Sequence, residues 1–577
     1  MMNSPTFTNW LDDFFASYYR RRPVSATFVG VHDYDERLPD FSQQGLGDML
    51  ADAESLLVRL RVLPVEPLSE AAGLDRRLAE GFLELQRWEM ADGRFSWRNP
   101  NALTGEAAFG VISLLRRPFA PIGQRLEAAI ARMEAIPELL AQGRATLRDV
   151  PTAWAERALD ECTGLLKLFG DGIARLAQEH HEYAAQLARA AGHTTAAVRE
   201  FERFLKDELR HDRGDGYACG AEALDLLLRR GHFLLQSADE IERYAEEQFS
   251  ASLAYLADRA PDFGVVIWPE VLAQLADVHP SVEGYYARYA ELSQACRALA
   301  EERRLLTWPE YPIRFVPRPT WTRAAAPHLY FLFYHSPAPL DQLPEVEYLV
   351  TPIELDMPPD EQERLLRANN ESVIKLNHVV HHGALGHHVQ NWYAFRADSR
   401  IGRVAGVDCA ARIAMFCAGT MTEGWACYAT ELMDEAGFLT PLETFAERHT
   451  RLRMAARALV DVRLHTGRLS LDQAAAFYQE RVGMAPAAAK SEAVKNSMFP
   501  GTALMYLVGT DMIRQLRDEL SARPGFKLGA FHDRLLSYGS VPAALVAERM
   551  RETAFYESTK PALSVVERAH EDTPKEP

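Results

Sequence analysis

The stretch HVVHHGALGHHVQNW, residues 378–392, concentrates histidine more strongly than any other part of the chain. Five of the eighteen histidines fall within eleven residues of it: His378, His381, His382, His387 and His388. Imidazole is the commonest protein ligand for metals, so this density predicts a metal site. No acidic residue occurs in the stretch, although a helical zinc protease site has a glutamate directly after its first histidine.

Two pairs of histidines compete as metal ligands in this stretch. Histidines four residues apart lie on one face of an α-helix, which favours His378 and His382. His381 and His387 are six residues apart and point to different sides of an ideal helix. They can converge only if the helix breaks or bulges, and the two glycines between them, Gly383 and Gly386, permit a break. Spacing alone leaves both pairs open.

A third ligand must come from a second segment, because one helix face cannot surround an ion. The stretch MTEGWACYATELMDEAG, residues 421–437, offers Glu423 on a second predicted helix some forty residues after the histidines. The small residues CAGT just before it would let two helices approach closely. Glu423 is therefore the candidate third ligand.

Composition excludes several classes of function. The 577 residues carry a formal net charge of −18, which argues against binding to nucleic acid or to an anionic membrane surface. No apolar run is long enough to span a membrane. The six cysteines form no CxxC pair, as expected for free thiols in a reducing compartment, so we expect a cytoplasmic protein. The sequence lacks a P-loop, a dinucleotide-binding fingerprint and a GxSxG motif. It does not predict an oligomeric state.

Most of the chain has helical periodicity, which predicts a mostly α fold. Residues 125–147 show apolar spacings of three and four, with a new helix expected at Pro137. Residues 237–260 follow a Ser237–Glu240 capping box.

We expect a single helical domain over 1–560, with a helical first half over 1–307. Eleven of the 32 prolines lie within 309–359, and 308–359 is expected to hold loops and a small sheet, with strands at 328–334 and 345–355. One helix, 360–382, should then deliver the histidines to a second helical half over 360–560. The polar tail 561–577 is expected to be disordered.

Several motifs together resemble a known family. HHGALGHHVQ resembles the pattern H-E-x-x-P-G-H-H-x-Q, TEGWACYATEL resembles E-G-W-A-x-Y-x-E-x-L, and EAVKNSMFPGTALMYLVG (492–509) resembles E-V-x-R-Y-x-x-x-P-G-Q-A-x-x-Y-x-x-G. FHDRLLSYGSVPAALV (531–546) and residues 116–140 resemble its closing and N-terminal segments. These are motifs of the domain of unknown function 885 family.

This resemblance implies a large helical fold related in architecture to Taq-type zinc carboxypeptidases and oligopeptidases, with a deep central channel and the metal at its floor. By position, the metal ligands would be His381, His387 and Glu423. His388 and Gln390 would support the ligands or bind substrate, and Tyr506 would hydrogen-bond the developing oxyanion.

The chain departs from the family pattern at positions that face the chemistry. The motif glutamate is His382 and the motif proline is Leu385. The arginine–tyrosine pair is Lys495–Asn496, and the glutamine after Pro-Gly is Thr502. A glutamate base is typically worth ~10²–10⁴-fold in rate, so its loss predicts weak or absent general peptidase activity.

We therefore expect one divalent metal ion, zinc first, with iron or manganese as alternatives. His382 would act as a base or become a fourth ligand, and Lys495 would offer the substrate a point charge. His465 would bind substrate or cap a helix end. The expected function is a metal-dependent enzyme for a small amide-, peptide- or amino-acid-like molecule. The alternatives are a non-catalytic pseudopeptidase that binds a ligand or partner, and a conventional zinc carboxypeptidase or oligopeptidase.

Overall fold

The computed structural model describes residues 5–64, 67–92, 97–209, 211–212, 216–329, 337–341, 343–407 and 418–552. The predicted disordered tail and most of the predicted strand 328–334 lie outside these residues. Among the cysteines, Cys409 and Cys417 also lie outside them, and the four described ones are free thiols.

The described chain is mostly helical, as the periodicity predicted. The helices of the first half are α1 Pro5–Arg21, α2 Pro23–Val29, α3 Gln43–Val62, α4 Glu70–Asp92, α5 Pro100–Arg116, α6 Ile122–Thr146, α7 Thr152–Lys167, α8 Ile173–Glu179, α9 Ala184–Arg203, α10 Ala221–Leu226, α11 Ala238–Arg259, α12 Trp268–Ala276 and α13 Tyr285–Glu302. Those of the second half are α14 Thr320–Arg323, α15 Pro359–Ala368, α16 His387–Ala394, α17 Arg400–Val404, α18 Gly419–Glu435, α19 Pro441–His465, α20 Leu471–Val482, α21 Pro486–Met498, α22 Met505–Ser521, α23 Leu528–Ser537 and α24 Ala543–Glu552.

Shorter elements interrupt these helices. The π-helical segments are Leu168–Gly172, Phe204–Glu208, Leu227–Gly231 and Val373–Gly383, and the 3₁₀ turns are His181–Tyr183, Ala260–Phe263 and Ala326–His328. One apolar core runs through both halves, from Phe7 to Met550. None of the described helices combines the length and apolar character needed to cross a membrane.

A small sheet lies before the histidines, as expected. Strands β3 Ile313–Pro317 and β4 Val346–Val350 pair in parallel, with Phe315 opposite Tyr348. Only one of these two strands was predicted: β4 falls within 345–355, whereas its partner at 313–317 was not identified from the sequence. A second parallel pair, β1 Val150–Pro151 and β2 His211–Asp212, is only two residues long.

Pro137 does not start a new helix, so that prediction was wrong. It lies inside the continuous helix α6. Proline cannot donate a hydrogen bond to the carbonyl four residues earlier, which belongs to Met133. The Thr194 hydroxyl from α9 donates to that carbonyl at 2.9 Å. A hydrogen bond from the neighbouring helix α9 thus satisfies the Met133 carbonyl, which would otherwise favour a break in α6.

The single helix expected over 360–382 is divided in two. Helix α15 ends at Ala368, and the π-helical segment Val373–Gly383 follows. Asn370 lies between them and accepts a hydrogen bond from the backbone N–H of Val373 at 3.1 Å through its side chain. Asparagine competes for backbone groups in this way and favours helix ends over helix interiors. The capping box at Ser237 and Glu240 is present as predicted.

A buried ion-pair network fixes the helices behind the histidines. Arg451 of α19 donates to Glu431 of α18 at 3.0 Å, to Asp511 of α22 at 3.0 and 3.1 Å and to Gln248 of α11 at 2.6 Å. Removing one partner from such a network leaves a buried charge unpaired. One guanidinium therefore sets the mutual positions of four helices.

Helices α18 and α22 cross at a pair of glycines. A Cβ added at Gly424 would lie 2.6 Å from the carbonyl carbon and 2.7 Å from the Cα of Gly509. A Cβ at Gly509 would collide with the carbonyl oxygen of Thr420. Only glycine lets the two backbones approach this closely.

Replacing Gly424 or Gly509 by alanine should separate these helices, because the atoms in the way are backbone atoms that cannot rotate aside. We expect a loss of at least about 2 kcal/mol in the free energy of unfolding, measured by urea denaturation. The matched control is Gly192→Ala in α9, where nothing lies within 4 Å of the added Cβ. It should be neutral or stabilising by up to about 1 kcal/mol. Equal effects at all three positions would contradict the close crossing.

A histidine ties the N-terminal helices to the segment 337–341. His32 lies 2.7 Å from an Asp35 oxygen and 2.8 Å from an Asp341 oxygen, and its ring stacks on Phe119. Burial on its own would lower the pKa of His32, but the hydrogen bonds to Asp341 and Asp35 raise it to about 9. The folded protein therefore prefers the protonated imidazolium.

This raised pKa predicts a pH-dependent contribution to stability. The contribution is fully present below the ordinary histidine pKa of 6.5 and is lost as the pH rises through about 9. We expect His32→Gln to cost about 1–2 kcal/mol at pH 6 and much less at pH 9.5, measured by urea unfolding. The matched control is His193→Gln, which removes a histidine of α9 without a carboxylate partner among the described residues. A difference between wild type and His32→Gln that is independent of pH would contradict this account.

Candidate metal centre

The predicted helix break between the histidines is present. The π-helical segment ends at Gly383 and α16 begins at His387. The Gly386 N–H donates to the Val380 carbonyl at 2.8 Å, and a Cβ at Gly386 would collide with the His381 carbonyl. Trp425 of α18 donates from its indole to the Leu385 carbonyl at 3.0 Å. The sharp turn is thus stabilised by a backbone hydrogen bond of its own and by a side-chain hydrogen bond from α18.

This break brings the three ligand candidates together. His381 Nε2 lies 3.3 Å from Glu423 Oε2, and His387 Nε2 lies 3.5 Å from the same oxygen. The two imidazole rings are nearly perpendicular, with centroids 4.8 Å apart. Each of the three groups comes from a different segment: the π-helix, α16 and α18.

These separations fit a bound transition metal. Donors held about 2.0–2.2 Å from zinc in a tetrahedron lie about 3.3–3.6 Å from one another. The two separations from Glu423 Oε2, 3.3 and 3.5 Å, fall in that range. Two imidazoles and one carboxylate are also an established donor set for catalytic zinc.

The electrostatics of the three groups suit ligation as well. Burial on its own would raise the pKa of Glu423, but His387 and His381 hold it well below its ordinary value. Burial lowers the pKa of His381, so its imidazole is neutral at pH 7. Metals bind carboxylates in the ionised form and histidines in the neutral form.

His382, which stands in place of the motif glutamate, belongs to the same cluster. Ligand atoms of His381, His382 and His387 all lie within 4.8 Å of one another. His382 Nδ1 donates to the Asn377 carbonyl at 2.7 Å, which leaves its Nε2 with the lone pair. Burial and the other two histidines lower the pKa of His382 well below 6.5. The ring therefore offers a neutral acceptor, either to an ion or to a proton.

His378 does not join the other histidines, so the pair His378 and His382 is not the one that the fold assembles. Its Nδ1 is hydrogen-bonded to the Tyr289 hydroxyl at 3.0 Å, and its ring lies parallel to that of Tyr289. Burial lowers its pKa to about 4. His378 serves as a packed, neutral side chain between α13 and the sheet.

The predicted substrate-binding residues have buried partners elsewhere in the fold. His388 donates from Nε2 to the Tyr311 carbonyl at 2.6 Å and stacks on that tyrosine. Gln390 donates to the Ser540 hydroxyl at 2.9 Å. His465, the last residue of α19, donates to the Asn496 carbonyl at 2.9 Å. All three are at most 2% exposed, and their predicted role in binding substrate stays a prediction.

Tyr506 and Lys495 lie on two other helices, α22 and α21. Tyr506 is in the first turn of α22, one turn before Gly509, and its ring centroid is 4.8 Å from the guanidinium carbon of Arg457. Burial, and then the charge of Glu423, raises the pKa of Tyr506 well above 10, so it remains a hydrogen-bond donor. Lys495 lies on α21 and interacts electrostatically with Glu492.

The changed family positions differ in what they contact. Leu385 is fully buried within the turn. Asn496 is buried and donates to the Tyr478 hydroxyl, and the Thr502 hydroxyl donates to the Phe499 carbonyl. Among the described residues that depart from the family pattern, His382 interacts electrostatically with Glu423 and Lys495 interacts with Glu492.

The ligand candidates retain accessible surface although protein surrounds them. The exposed fractions of the His381, His387 and Glu423 side chains are 13%, 11% and 11%. Arg457 and Glu492 retain 17% and 13%. Solvent-sized space therefore reaches both the donor cluster and the charged groups near Tyr506.

Arg453 and Arg457 of α19 are not predicted from the sequence as part of this region, and Cys427 also lies beside the cluster. Cys427 Sγ lies 3.9 Å from His381 Nδ1, and its thiol is neutral because burial raises its pKa. Arg453 and Arg457 lie one turn apart on α19 in a helix with many arginines. Nothing in their spacing distinguished them from surface residues. Their acidic neighbour Glu492, in contrast, begins the recognised motif at 492–509.

Two solved structures share the fold. One is a "putative lipoprotein of unknown function" from Shewanella oneidensis, with 19% identity, a TM-score of 0.74 and coverage of 95% of this chain and 100% of that one. The other is a "putative lipoprotein" from Colwellia psychrerythraea, with 17% identity, a TM-score of 0.72 and coverage of 95% and 98%. At these identities the likeness concerns the fold alone. No curated protein matches the sequence.

A family model extends over nearly the whole chain. It matches residues 23–550 and carries the description "Bacterial protein of unknown function (DUF885)". The match includes the histidine stretch, the Glu423 helix and the segment that carries Tyr506. The chain belongs to the DUF885 family.

Proposed function

We propose that this protein is a metal-dependent enzyme that acts on a small amide-, peptide- or amino-acid-like molecule, with His381, His387 and Glu423 as metal ligands. The observation that carries the proposal is the approach of two imidazole nitrogens to one carboxylate oxygen at 3.3 and 3.5 Å. Zinc suits the donor set best, and iron and manganese are the alternatives. The scaffold is zinc-peptidase-like in this proposal, with the usual glutamate base replaced by His382.

A metal bound here would polarise a substrate carbonyl and lower the pKa of a bound water. The other chemical roles in the proposed reaction would be carried out by side chains of the protein. Tyr506 can donate a hydrogen bond to an oxygen that gains negative charge, because its phenol stays protonated. His382 can accept a hydrogen bond or a proton at Nε2 while Nδ1 remains tied to the Asn377 carbonyl. Trp425 and Gly386 hold the two ligand histidines in place.

The second candidate is a non-catalytic binding protein on the same scaffold. It is favoured by the placement of His382, whose ligand atom lies within 4.8 Å of those of His381 and His387. If His382 completes the coordination shell, four protein ligands leave no position for water or substrate, as in structural zinc sites. The coordination role of His382 therefore decides between the two candidates.

Purified protein should contain about one equivalent of zinc, iron or manganese, measured by elemental analysis after dialysis. If His381, His387 and Glu423 are the three ligands, Glu423→Ala should lose it, because two imidazoles alone bind metal weakly. The matched control is Glu435→Ala on the same helix, where the carboxylate is half exposed and pairs with Arg517 at 2.8 Å. This control should keep its metal. Metal-free wild-type protein that cannot be reconstituted would refute the proposed centre.

His382→Ala should retain the metal if His382 is a base or substrate group, and lose it if His382 is a fourth ligand. Metal content and the visible spectrum of the cobalt-substituted protein measure this directly. His382→Glu restores the motif carboxylate and should raise hydrolysis of a peptide panel by about 10²-fold. Wild-type cleavage of that panel at ordinary peptidase rates, abolished by His382→Ala, would instead show a conventional peptidase.

A further inference from the structure

One carboxylate near the proposed metal centre, that of Glu492, pairs with one cation and interacts electrostatically with two more. Arg457 donates to the two oxygens of Glu492 at 2.8 and 3.1 Å. Arg453 and Lys495 also interact electrostatically with Glu492, and the three cations together hold its pKa at about 2, against the effect of burial. The group carries three positive charges and one negative charge, a net charge of +2.

Arg453 is the member of this group whose charge has only a longer-range counterpart, Glu492. It makes no hydrogen bond or ion pair with any residue that the structure describes, whereas Arg457 has a bidentate partner. Its side chain is part-buried, and its charge acts on Arg457, Glu492 and Tyr506. A partly desolvated guanidinium without a hydrogen-bonding partner is unfavourable. An anion that supplied two oxygens would offset that cost.

The cation group lies next to the ligand candidates. Arg457 contacts the Tyr506 ring, and its charge acts on His381 and Cys427. Tyr506 in turn interacts electrostatically with Glu423. The glycine crossing of α18 and α22 explains this proximity, since it lies adjacent to Glu423 and one turn from Tyr506.

We propose that Arg453, with Arg457 and Lys495 beside it, forms an anion subsite that binds a carboxylate or phosphate group of the substrate. This inference rests on the proposed function and narrows its substrate to a small acid whose reactive group reaches the ligands His381, His387 and Glu423. The planar fork of arginine matches two oxygens of one oxyanion. Lys495 adds positive charge without fixing an orientation. A neutral substrate of the same shape would leave Arg453 without a partner.

The test measures binding of simple anions to wild-type protein from which metal has been removed with a chelator. Acetate and inorganic phosphate are titrated at constant ionic strength, and the midpoint of thermal unfolding gives the affinity. Acetamide serves as the neutral counterpart of acetate. At least one of the two anions should stabilise the protein in a saturable manner and acetamide should not. The anion that binds more tightly identifies the group as a carboxylate or a phosphate.

Arg453→Met should weaken this binding at least tenfold, and Arg453→Lys should weaken it less, because the charge remains while the fork is lost. The matched control is Arg448→Met, five residues earlier on α19, where the side chain pairs with Asp434 at 3.4 Å. It should bind anions like wild type. Circular dichroism establishes whether each variant is folded. If Arg453→Met does not fold, the comparison of Arg453→Lys with wild type still tests the inference.

The inference is refuted if neither anion binds saturably, or if Arg453→Met and Arg448→Met bind alike. Because these titrations use metal-free protein, their result is independent of the metal analysis. Anion binding without a metal site would leave a subsite in a protein that is not a metalloenzyme. A metal site without anion binding would leave the proposed function standing and remove its acidic substrate.

Discussion

The convergence of two imidazole nitrogens on one oxygen of Glu423 is the interaction on which the rest of this region depends. It requires three segments that are distant in sequence to meet with a precision of a few tenths of an ångström. The turn at Gly386 reorients the chain between the two histidines, and the indole of Trp425 fixes that turn from the helix that carries the carboxylate. Helix α18 therefore supplies both a ligand candidate, Glu423, and the side chain that supports the turn between the other two.

Behind the ligands, the structure uses two different means to hold its helices. Backbone contact at Gly424 and Gly509 brings α18 and α22 together more closely than any side chain would allow. The buried guanidinium of Arg451 then ties these helices to α11 and α19 through three separate partners. Buried ion pairs add little net stability when compared with apolar packing, but breaking one is costly. They are suited to fixing a geometry, which is what a metal centre needs.

The replacement of the motif glutamate by His382 changes the chemistry more than the architecture. A carboxylate at that place would bring a negative charge and a strong acceptor, whereas a buried imidazole beside two others is neutral and accepts through one atom only. Near Glu492, three cations act on one carboxylate. In the proposed enzyme, attraction of an anionic substrate would thus matter more than strong base catalysis, which is a different balance from that of a general peptidase.

The sequence by itself determined the mostly helical fold, the small sheet before the histidines, the capping box at Ser237 and the family. It also identified the possibility of a helix break at the glycines. All of these features follow from local periodicity and from residue types. It misjudged Pro137 because the carbonyl left unpaired by proline is satisfied by Thr194 of another helix, and periodicity carries no information about partners from elsewhere.

Only the tertiary structure decided which histidines meet. His378 and His382 have the ideal helical spacing, yet a tyrosine from α13 engages the first of them, and the broken helix turns His381 and His387 toward Glu423. The tertiary structure also decided which arginines of α19 approach this region, because their spacing is that of any solvated helix face. The physical reason is that ligation and charge compensation depend on distances between segments, and those distances are fixed by packing across the whole chain.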